Sequence, residues 1–264
     1  MHNTTDLLIA NRFEAGQTDI DGLIAPLADL AQDSASLIVG YAPTASRQRQ
    51  DAIPYFHVCG SYAEHPPVRA LIVGGWFGNE VRSPYAIARL IATMEKRASL
   101  AAGLEVTAFP VANLEAHRAK TYLTDDQFAA GASCWEESPS PHVQVIEKEL
   151  LRYPYDIVIF LRENPRAVET DAEAWLVEES HKRVLSEALE KYAADTPHFR
   201  WKTNPSAPVY RRSFTPVPGV NRQPSEVIIG LSAARTPAEQ TNDVAGIVFA
   251  LLHSVRQARQ EGRL

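Results

Sequence analysis

The 264-residue sequence lacks the features that mark disulfide-rich, zinc-finger and membrane-spanning proteins. It has only two cysteines, Cys59 and Cys134, too few for a disulfide framework or a four-cysteine zinc site. No stretch approaches the ~18 consecutive apolar residues of a membrane-spanning helix. We therefore expect two reduced, partly buried thiols in a cytoplasmic protein that makes no membrane contact.

Basic residues are scarce relative to acidic ones. Lys and Arg total 26 and Asp and Glu total 32, so the formal net charge is −6 and the isoelectric point is about 5.8. A nucleic-acid-binding domain typically concentrates a basic excess on one face, so we expect no nucleic-acid partner. The segment 1–6 has neither the basic start nor the apolar run of a secretory signal, which also favours a cytoplasmic location. The sequence leaves the oligomeric state open.

What the sequence does contain is an alternation of short β-branched runs with helical periodicity, which is typical of an α/β domain. We predict one domain over residues 1–264, a three-layer α/β/α architecture with a mostly parallel mixed sheet, and an irregular proline-rich excursion at about 197–224. The predicted strands are Ser36–Ala42, Ile53–Cys59, Arg69–Gly75, Leu104–Val111, Tyr155–Leu161 and Glu226–Leu231. The predicted helices are Asp19–Asp33, Ser83 to the stop at Gly103, Ser140–Tyr153, Thr170 to about Ala194, and one that begins at Thr236. Capping boxes are predicted for the last two.

The most informative segment is Leu71–Glu80, with the sequence LIVGGWFGNE, followed by the predicted helix from Ser83. It resembles the zinc-carboxypeptidase superfamily, including its succinylglutamate desuccinylase and aspartoacylase branch. There an apolar strand runs into Gly-Gly-x-His-Gly-Asn/Asp-Glu, and the His and Glu are two of the three zinc ligands. In this sequence Phe77 stands at the histidine position and Glu80 at the glutamate position.

The resemblance extends over roughly residues 35–255. Ala108–Asn113 is similar to the family's second strand and its Val-Pro-x-x-Asn-Pro segment. Tyr155–Arg162 is similar to the strand that supplies the third zinc ligand, and Val227–Leu231 to the late strand that presents the catalytic glutamate. The resemblance implies a carboxypeptidase-like α/β/α fold with peptide or acyl-amino-acid hydrolysis.

The departures from the family pattern bear directly on that activity. Zinc requires lone-pair donors, typically three from the protein in a catalytic site. Phe77 offers none, Arg162 stands at the second histidine position as a permanent cation, and Gly230 has no side chain to act as a general base. Only Glu80 remains of the three ligands that the family uses. We therefore expect no catalytic residue, no bound metal and no cofactor.

The carboxyl ends of the central strands should bring Glu80 and Arg162 together, and we expect them to form an ion pair in place of the metal. The predicted ligand pocket is completed by residues near the same strand ends: Phe77, Asn113, Arg118, Glu163 and Gly230. An alternative metal site could be formed from four other residues, namely His57, Cys59, His117 and His142, although none is paired at ligand spacing.

Three functions remain open on the sequence. The first is a protein without zinc-dependent hydrolysis that binds a small polar or carboxylate-bearing ligand in the former active-site cleft. The second is an active metallohydrolase, a carboxypeptidase or N-acyl amino acid deacylase, whose metal ligands lie elsewhere in the sequence. The third is a protein-interaction module with a closed cleft, for which a large apolar surface patch would be evidence.

Overall fold

The computed structural model describes residues 20–44, 52–61, 66–120, 141–164, 170–175, 179–203, 224–232 and 234–264. The described helices are α1 (Ile20–Gln32), α2 (Arg82–Lys96), α3 (Ala98–Ala101), α4 (Leu114–Ala119), α5 (Pro141–Arg152), α6 (Glu179–Asp195) and α7 (Pro237–Gln260). The described strands are β1 (Leu37–Ala42), β2 (Ile53–Cys59), β3 (Val68–Val73), β4 (Leu104–Phe109), β5 (Ile157–Asn164), β6 (Thr170–Trp175), β7 (Phe199–Thr203) and β8 (Ser225–Ser232). None of these helices is long and apolar enough to cross a lipid bilayer. Cys134 and most of the proline-rich segment lie outside the described residues.

The described strands form one mixed sheet in the order β1-β2-β4-β3-β5-β8-β6-β7. The four central strands, β4, β3, β5 and β8, are parallel to one another. β2 runs antiparallel to β4, β1 antiparallel to β2, and β6 antiparallel to β8. The predicted mostly parallel mixed sheet is therefore confirmed, and the carboxyl ends of its four central strands meet at one edge, as predicted.

Helices cover both faces of the sheet because the central strands are apolar on both sides. In β5, Ile157, Ile159 and Leu161 belong to a core that also contains the apolar side chains of α2, α6 and α7. The alternate residues Val158 and Phe160 belong to a second core beneath α5. This alternation fixes which face each later residue of β5 points to, and so it determines the geometry of the candidate site.

Two segments between β5 and β8 differ from the prediction. The helix predicted to begin at Thr170 is wrong in its first part, because Thr170–Trp175 forms β6 and the helix begins only at Glu179. The segment Phe199–Thr203, predicted to be irregular, forms β7 and pairs in parallel with β6. Both strands obtain their backbone hydrogen bonds from sequence-distant partners, so the sheet edge offered by β8 overrides the local capping pattern.

The first turn of α7 agrees with its prediction, whereas the first turn of α2 does not. The capping box at the start of α7 is confirmed: the Thr236 hydroxyl accepts from the Glu239 N–H, and the Thr236 N–H donates to the Glu239 carboxylate at 2.9 Å. The helix predicted from Ser83 begins at Arg82 instead, and its N-cap residue, Val81, makes no side-chain hydrogen bond. The cap of α2 comes from another part of the chain.

The loop after β3 is held close to the loop after β4 by a glycine. Gly75 has φ +60°, a left-handed conformation that side chains with a Cβ atom disfavour. Its carbonyl accepts from the Asn113 N–H at 3.0 Å. A Cβ atom at Gly75 would lie 2.7 Å from the Pro110 carbonyl oxygen and 2.8 Å from the Val111 Cα atom. The loop that leads to the candidate site therefore depends on a residue without a side chain.

We predict that Gly75→Ala destabilises the protein by at least about 2 kcal/mol, because left-handed strain and a backbone clash add together. Gly262→Ala is the matched control, since Gly262 has φ +67° with no atom within 4 Å of the added methyl group. The control should cost only about 1 kcal/mol. Urea unfolding of the three proteins measures both costs, and equal losses for the two variants would contradict the close approach of the loops.

Candidate active-site cleft

The candidate site lies where β3, β5 and β8 end. β3 leads into the loop that contains Phe77 and Glu80, and α2 begins at Arg82 directly after this loop. β5 ends with Arg162 and Glu163, and in the neighbouring β8 Gly230 lies opposite Arg162. The structure thus brings together the residues expected from three separate segments of the sequence.

Glu80 is buried and its carboxylate accepts four hydrogen bonds. Oε2 accepts from the backbone N–H groups of Trp76 at 2.8 Å and Phe77 at 3.3 Å, and from the Ser83 hydroxyl at 3.3 Å. Oε1 accepts from the backbone N–H of Glu163 at 3.0 Å. One carboxylate therefore closes its own loop and ties that loop to the end of β5.

Glu163 makes the reverse connection, from β5 to the start of α2. Its carboxylate accepts from the backbone N–H of Arg82 and, at 3.4 Å, from that of Ser83. The Arg82 guanidinium lies 3.4 Å from its other oxygen. These backbone N–H groups have no partner within the helix, so Glu163 is the N-terminal cap of α2. The sequence could not indicate this role, because the capping residue lies about 80 positions from the helix that it caps.

The ionisation of Glu80 reflects two opposing influences. Burial raises its pKa to about 7 from an ordinary 4.5, and the neighbouring Glu163 carboxylate adds to the increase. The hydrogen bonds from the backbone N–H groups of Glu163, Phe77 and Trp76 favour the charged form and oppose it. The carboxyl group is therefore close to its titration midpoint at neutral pH.

Arg162 has a different neighbour from the one that we expected. Its guanidinium carbon lies 5.4 Å from the centre of the buried Phe77 ring, a cation–π arrangement. The predicted ion pair with Glu80 is not among the contacts of that carboxylate. The reason is the alternation of β5: Arg162 points to the α5 face, whereas Glu163 points to the α2 face. Gly230, opposite Arg162 in β8, presents no side chain beside it.

These residues do not fit a catalytic zinc ion. Phe77 has no donor atom, and its ring is covered by the cationic group of Arg162. The oxygens of Glu80 are already used by three backbone N–H groups and one hydroxyl. Among the residues that the structure describes, no three His, Cys, Asp or Glu side chains lie close enough together to hold a metal ion.

Two of the predicted pocket residues make contacts within helical parts of the structure. The Asn113 side-chain oxygen accepts from the Ala116 N–H at 3.1 Å and so caps α4. The Arg118 guanidinium lies 3.1 Å from the carboxylate of Asp21 on α1. These contacts link α4 to its own first turn and to α1, and the ligand-binding role of both residues stays a prediction.

The histidines and the cysteine of the alternative metal site lie on different elements. His57 and Cys59 are on β2, where the His57 ring lies 3.0 Å from the Thr107 hydroxyl. Burial lowers the pKa of His57 and raises that of Cys59. His117 is on α4, and burial lowers its pKa to about 4, while His142 is on α5. The described geometry gives these residues no common ligand site.

No protein-family model and no curated protein sequence matches the chain. Solved structures do match it. The metallo-carboxypeptidase from Burkholderia cenocepacia is 11% identical with a TM-score of 0.70, and the match covers 89% of this chain and 68% of that protein. The chain has the metallo-carboxypeptidase fold. At this level of identity the likeness is one of fold alone, and the resemblance inferred from LIVGGWFGNE is confirmed to that extent.

Two further structures extend the comparison. A metallo-carboxypeptidase from Pseudomonas aeruginosa, in complex with (2-guanidinoethylmercapto)succinic acid, is 13% identical with a TM-score of 0.65, and the match covers 88% of this chain and 68% of that protein. An aspartoacylase family protein from Mesorhizobium loti is 16% identical with a TM-score of 0.58, and the match covers 83% of this chain and 68% of that protein. Both branches of the predicted superfamily are therefore represented among the similar folds.

We predict that Arg162 is coupled energetically to Phe77 and not to Glu80. A double-mutant cycle with Arg162→Gln and Phe77→Leu should give a coupling free energy of about 1 kcal/mol, as expected for a partly desolvated cation–π pair. The parallel cycle of Arg162→Gln with Glu80→Gln should lie within about 0.5 kcal/mol of zero. Denaturant unfolding measures both coupling free energies. A coupling of Arg162 to Glu80 that is larger than its coupling to Phe77 would favour the ion pair predicted from the sequence.

The raised pKa of Glu80 predicts that its contribution to stability falls as the pH rises. Between about pH 4.5 and 7 the folded protein keeps a proton that the unfolded chain has released, so alkalinisation favours unfolding. Relative to Glu80→Gln, the wild type should lose about 3 kcal/mol of unfolding free energy across this range.

The measurement is the slope of the unfolding free energy against pH, compared between the wild type and Glu80→Gln. The absolute stability of the variant is not used. The exposed Glu115 provides the matched control, because Glu115→Gln makes the same chemical change on the surface of α4. A wild type that gains stability relative to Glu80→Gln as the pH rises would show that the four hydrogen bonds outweigh burial.

Proposed function

We propose that this chain is a carboxypeptidase-like protein that has lost zinc-dependent hydrolysis and binds a small carboxylate-bearing molecule in the former active-site cleft. The observation that carries the proposal is the stacking of Arg162 on Phe77 at the two positions where the resembled family has histidine ligands. A cation thus stands where the resembled family has a dication, and a guanidinium group can bind an anionic group of a ligand by charge-assisted hydrogen bonds.

The geometry of Arg162 suits a carboxylate. The guanidinium carbon lies 5.4 Å from the centre of the Phe77 ring, and the guanidinium group carries a fork of N–H donors that matches the two oxygens of a carboxylate. The half-buried position of Arg162 makes such hydrogen bonds stronger than they would be in bulk water. The buried Phe77 ring also fixes the guanidinium, which reduces the entropy that a ligand must overcome.

The carboxyl groups of the candidate site support an anionic ligand rather than a cationic one. The charge of Glu163 is balanced by Arg82, and the burial of Glu80 favours its protonated form. Zinc-dependent hydrolysis is not supported by the residues of this site, because neither the ring of Phe77 nor Gly230, which has no side chain, can bind a metal ion or transfer a proton.

The compounds to be tested first are small di- and monocarboxylates, among them acylated amino acids. The similar fold from Pseudomonas aeruginosa holds a succinic acid derivative, which motivates the inclusion of succinate. The matched primary amides keep the size of each compound and remove its charge, so they separate anion binding from simple filling of the cleft.

We predict that a carboxylate of this panel binds to the wild type and that Arg162→Gln weakens its binding about 100-fold, as the loss of a charge-assisted hydrogen-bonded pair implies. Isothermal titration calorimetry measures the affinity, and thermal unfolding checks that the variant is folded. Arg183→Gln on the exposed face of α6, where Arg183 faces Glu187, should bind as the wild type does.

The same samples test the loss of the metal site. Protein purified without chelator should contain far less than one zinc ion per chain. About one zinc ion per chain, retained through gel filtration and lost in Glu80→Ala, would contradict the proposal and favour the alternative of an active metallohydrolase. Binding that is equal for carboxylates and amides, or unaffected by Arg162→Gln, would contradict the role of the arginine.

A further inference from the structure

The two outermost described strands differ in how they present their free edge. β7 carries Arg200 and Lys202, and charged side chains on an edge strand oppose pairing with another chain. β1 carries no charged residue and no proline, and it pairs with β2 residue by residue without a bulge. Within the described part of the chain, no strand pairs with the outer side of β1. β1 thus lacks the protection that β7 has.

β1 also exposes large apolar side chains. Ile38 is 56% exposed and Tyr41 58%, more than any other large hydrophobic residue among those described. The next, Leu151 on α5, is 47% exposed. An apolar edge strand with a free backbone is a ready template for pairing with a further strand.

The backbone of β1 has one set of groups available for such pairing. The Cys59 N–H donates to the Ser36 carbonyl at 2.7 Å, and these two residues lie directly opposite each other at the start of the ladder. In an antiparallel pair every second residue exchanges hydrogen bonds with its partner strand. The N–H and C=O groups of Val39 and Tyr41 therefore point to the outer side, and a new strand can bind them without disturbing β2.

We propose that β1 pairs antiparallel with β1 of a second copy of this chain, around a twofold axis at Val39. In this register residues 37–41 of one strand pair with residues 41–37 of the other. The outward-pointing N–H and C=O groups of each strand then bind those of its partner. The alternation requires that an outward residue face an outward residue, so Val39 faces its own copy and Tyr41 faces the partner's Leu37.

The register also gives the exposed isoleucine a complementary surface. Ile38 would lie opposite the partner's Gly40, which has no side chain. The ring of Tyr55 covers this glycine so closely that a Cβ atom there would lie 2.2 Å from the ring. Each copy therefore supplies both a projecting side chain and a shallow receiving surface, a self-complementarity that favours a second copy over an unrelated strand.

The proposed contact is small, because six-residue strands bury less than the ~1,200 Å² of a standard interface. We expect a concentration-dependent dimer with Kd of about 10–100 µM. Sedimentation velocity from about 5 to about 500 µM should show the transition from monomer to dimer.

Two variants and a control test the surface. Ile38→Lys places a charge against the partner's Gly40, and Tyr41→Pro removes an outward N–H that β2 does not use. Each should weaken the dimer at least about 10-fold. Leu151→Lys changes a comparably exposed apolar residue outside β1 and should dimerise as the wild type does. A monomer at every concentration, or a dimer that both β1 variants leave intact, would overturn the proposal.

A cross-linking experiment tests the register. In a background with Cys59→Ser and Cys134→Ser, Val39→Cys should form a disulfide-linked dimer with oxidised glutathione, because directly opposite Cα atoms lie about 5.5 Å apart, within disulfide range. Tyr41→Cys should not, because its copies would lie roughly 13 Å apart. Cross-linking of Tyr41→Cys instead of Val39→Cys would contradict the axis at Val39.

Discussion

The candidate site depends on two carboxylates that connect β5 with the loop that follows β3. Glu80 belongs to the loop and binds the backbone of Glu163, while Glu163 belongs to β5 and binds the backbone of Arg82 and Ser83. Each carboxylate satisfies N–H groups that a turn or a helix end leaves without partners. The two segments are therefore held together by their own acidic residues, and the chain needs no metal ion to join them.

The same hydrogen bonds also affect the position of Arg162. Had Arg162 paired with Glu80, the two charges would have neutralised each other within the cleft. Because the backbone supplies the donors to Glu80, Arg162 instead lies on the ring of Phe77, with its charge directed to the α5 side of the sheet. Phe77, at the position where the resembled family has histidine, thus has a structural role as well as lacking a metal donor: its ring contacts the guanidinium group of Arg162.

The features that the sequence predicts well are those determined locally. The apolar runs at Val68–Val73 and Leu104–Phe109 and the capping box at Thr236 depend on residues close together in the chain, and their elements are confirmed. β6, β7 and the cap of α2 depend on partners far along the sequence, so no local pattern indicates them. The same limit applies to Arg162: its neighbours on the strand, not its charge, decide that it meets Phe77 and not Glu80.

The topology separates the two proposed binding surfaces. β1 and β5 are four strand spacings apart, roughly 19 Å, so a partner at β1 does not reach the cleft. A twofold axis perpendicular to the sheet reverses the strand direction in the second copy. The candidate site lies at the carboxyl ends of the parallel strands. The two sites of such a dimer would therefore lie at opposite edges of a continuous sheet, where the strands of one copy end and those of the other begin. Neither copy would complete or cover the candidate site of the other, so the proposed ligand binding and the proposed dimerisation would be independent of each other.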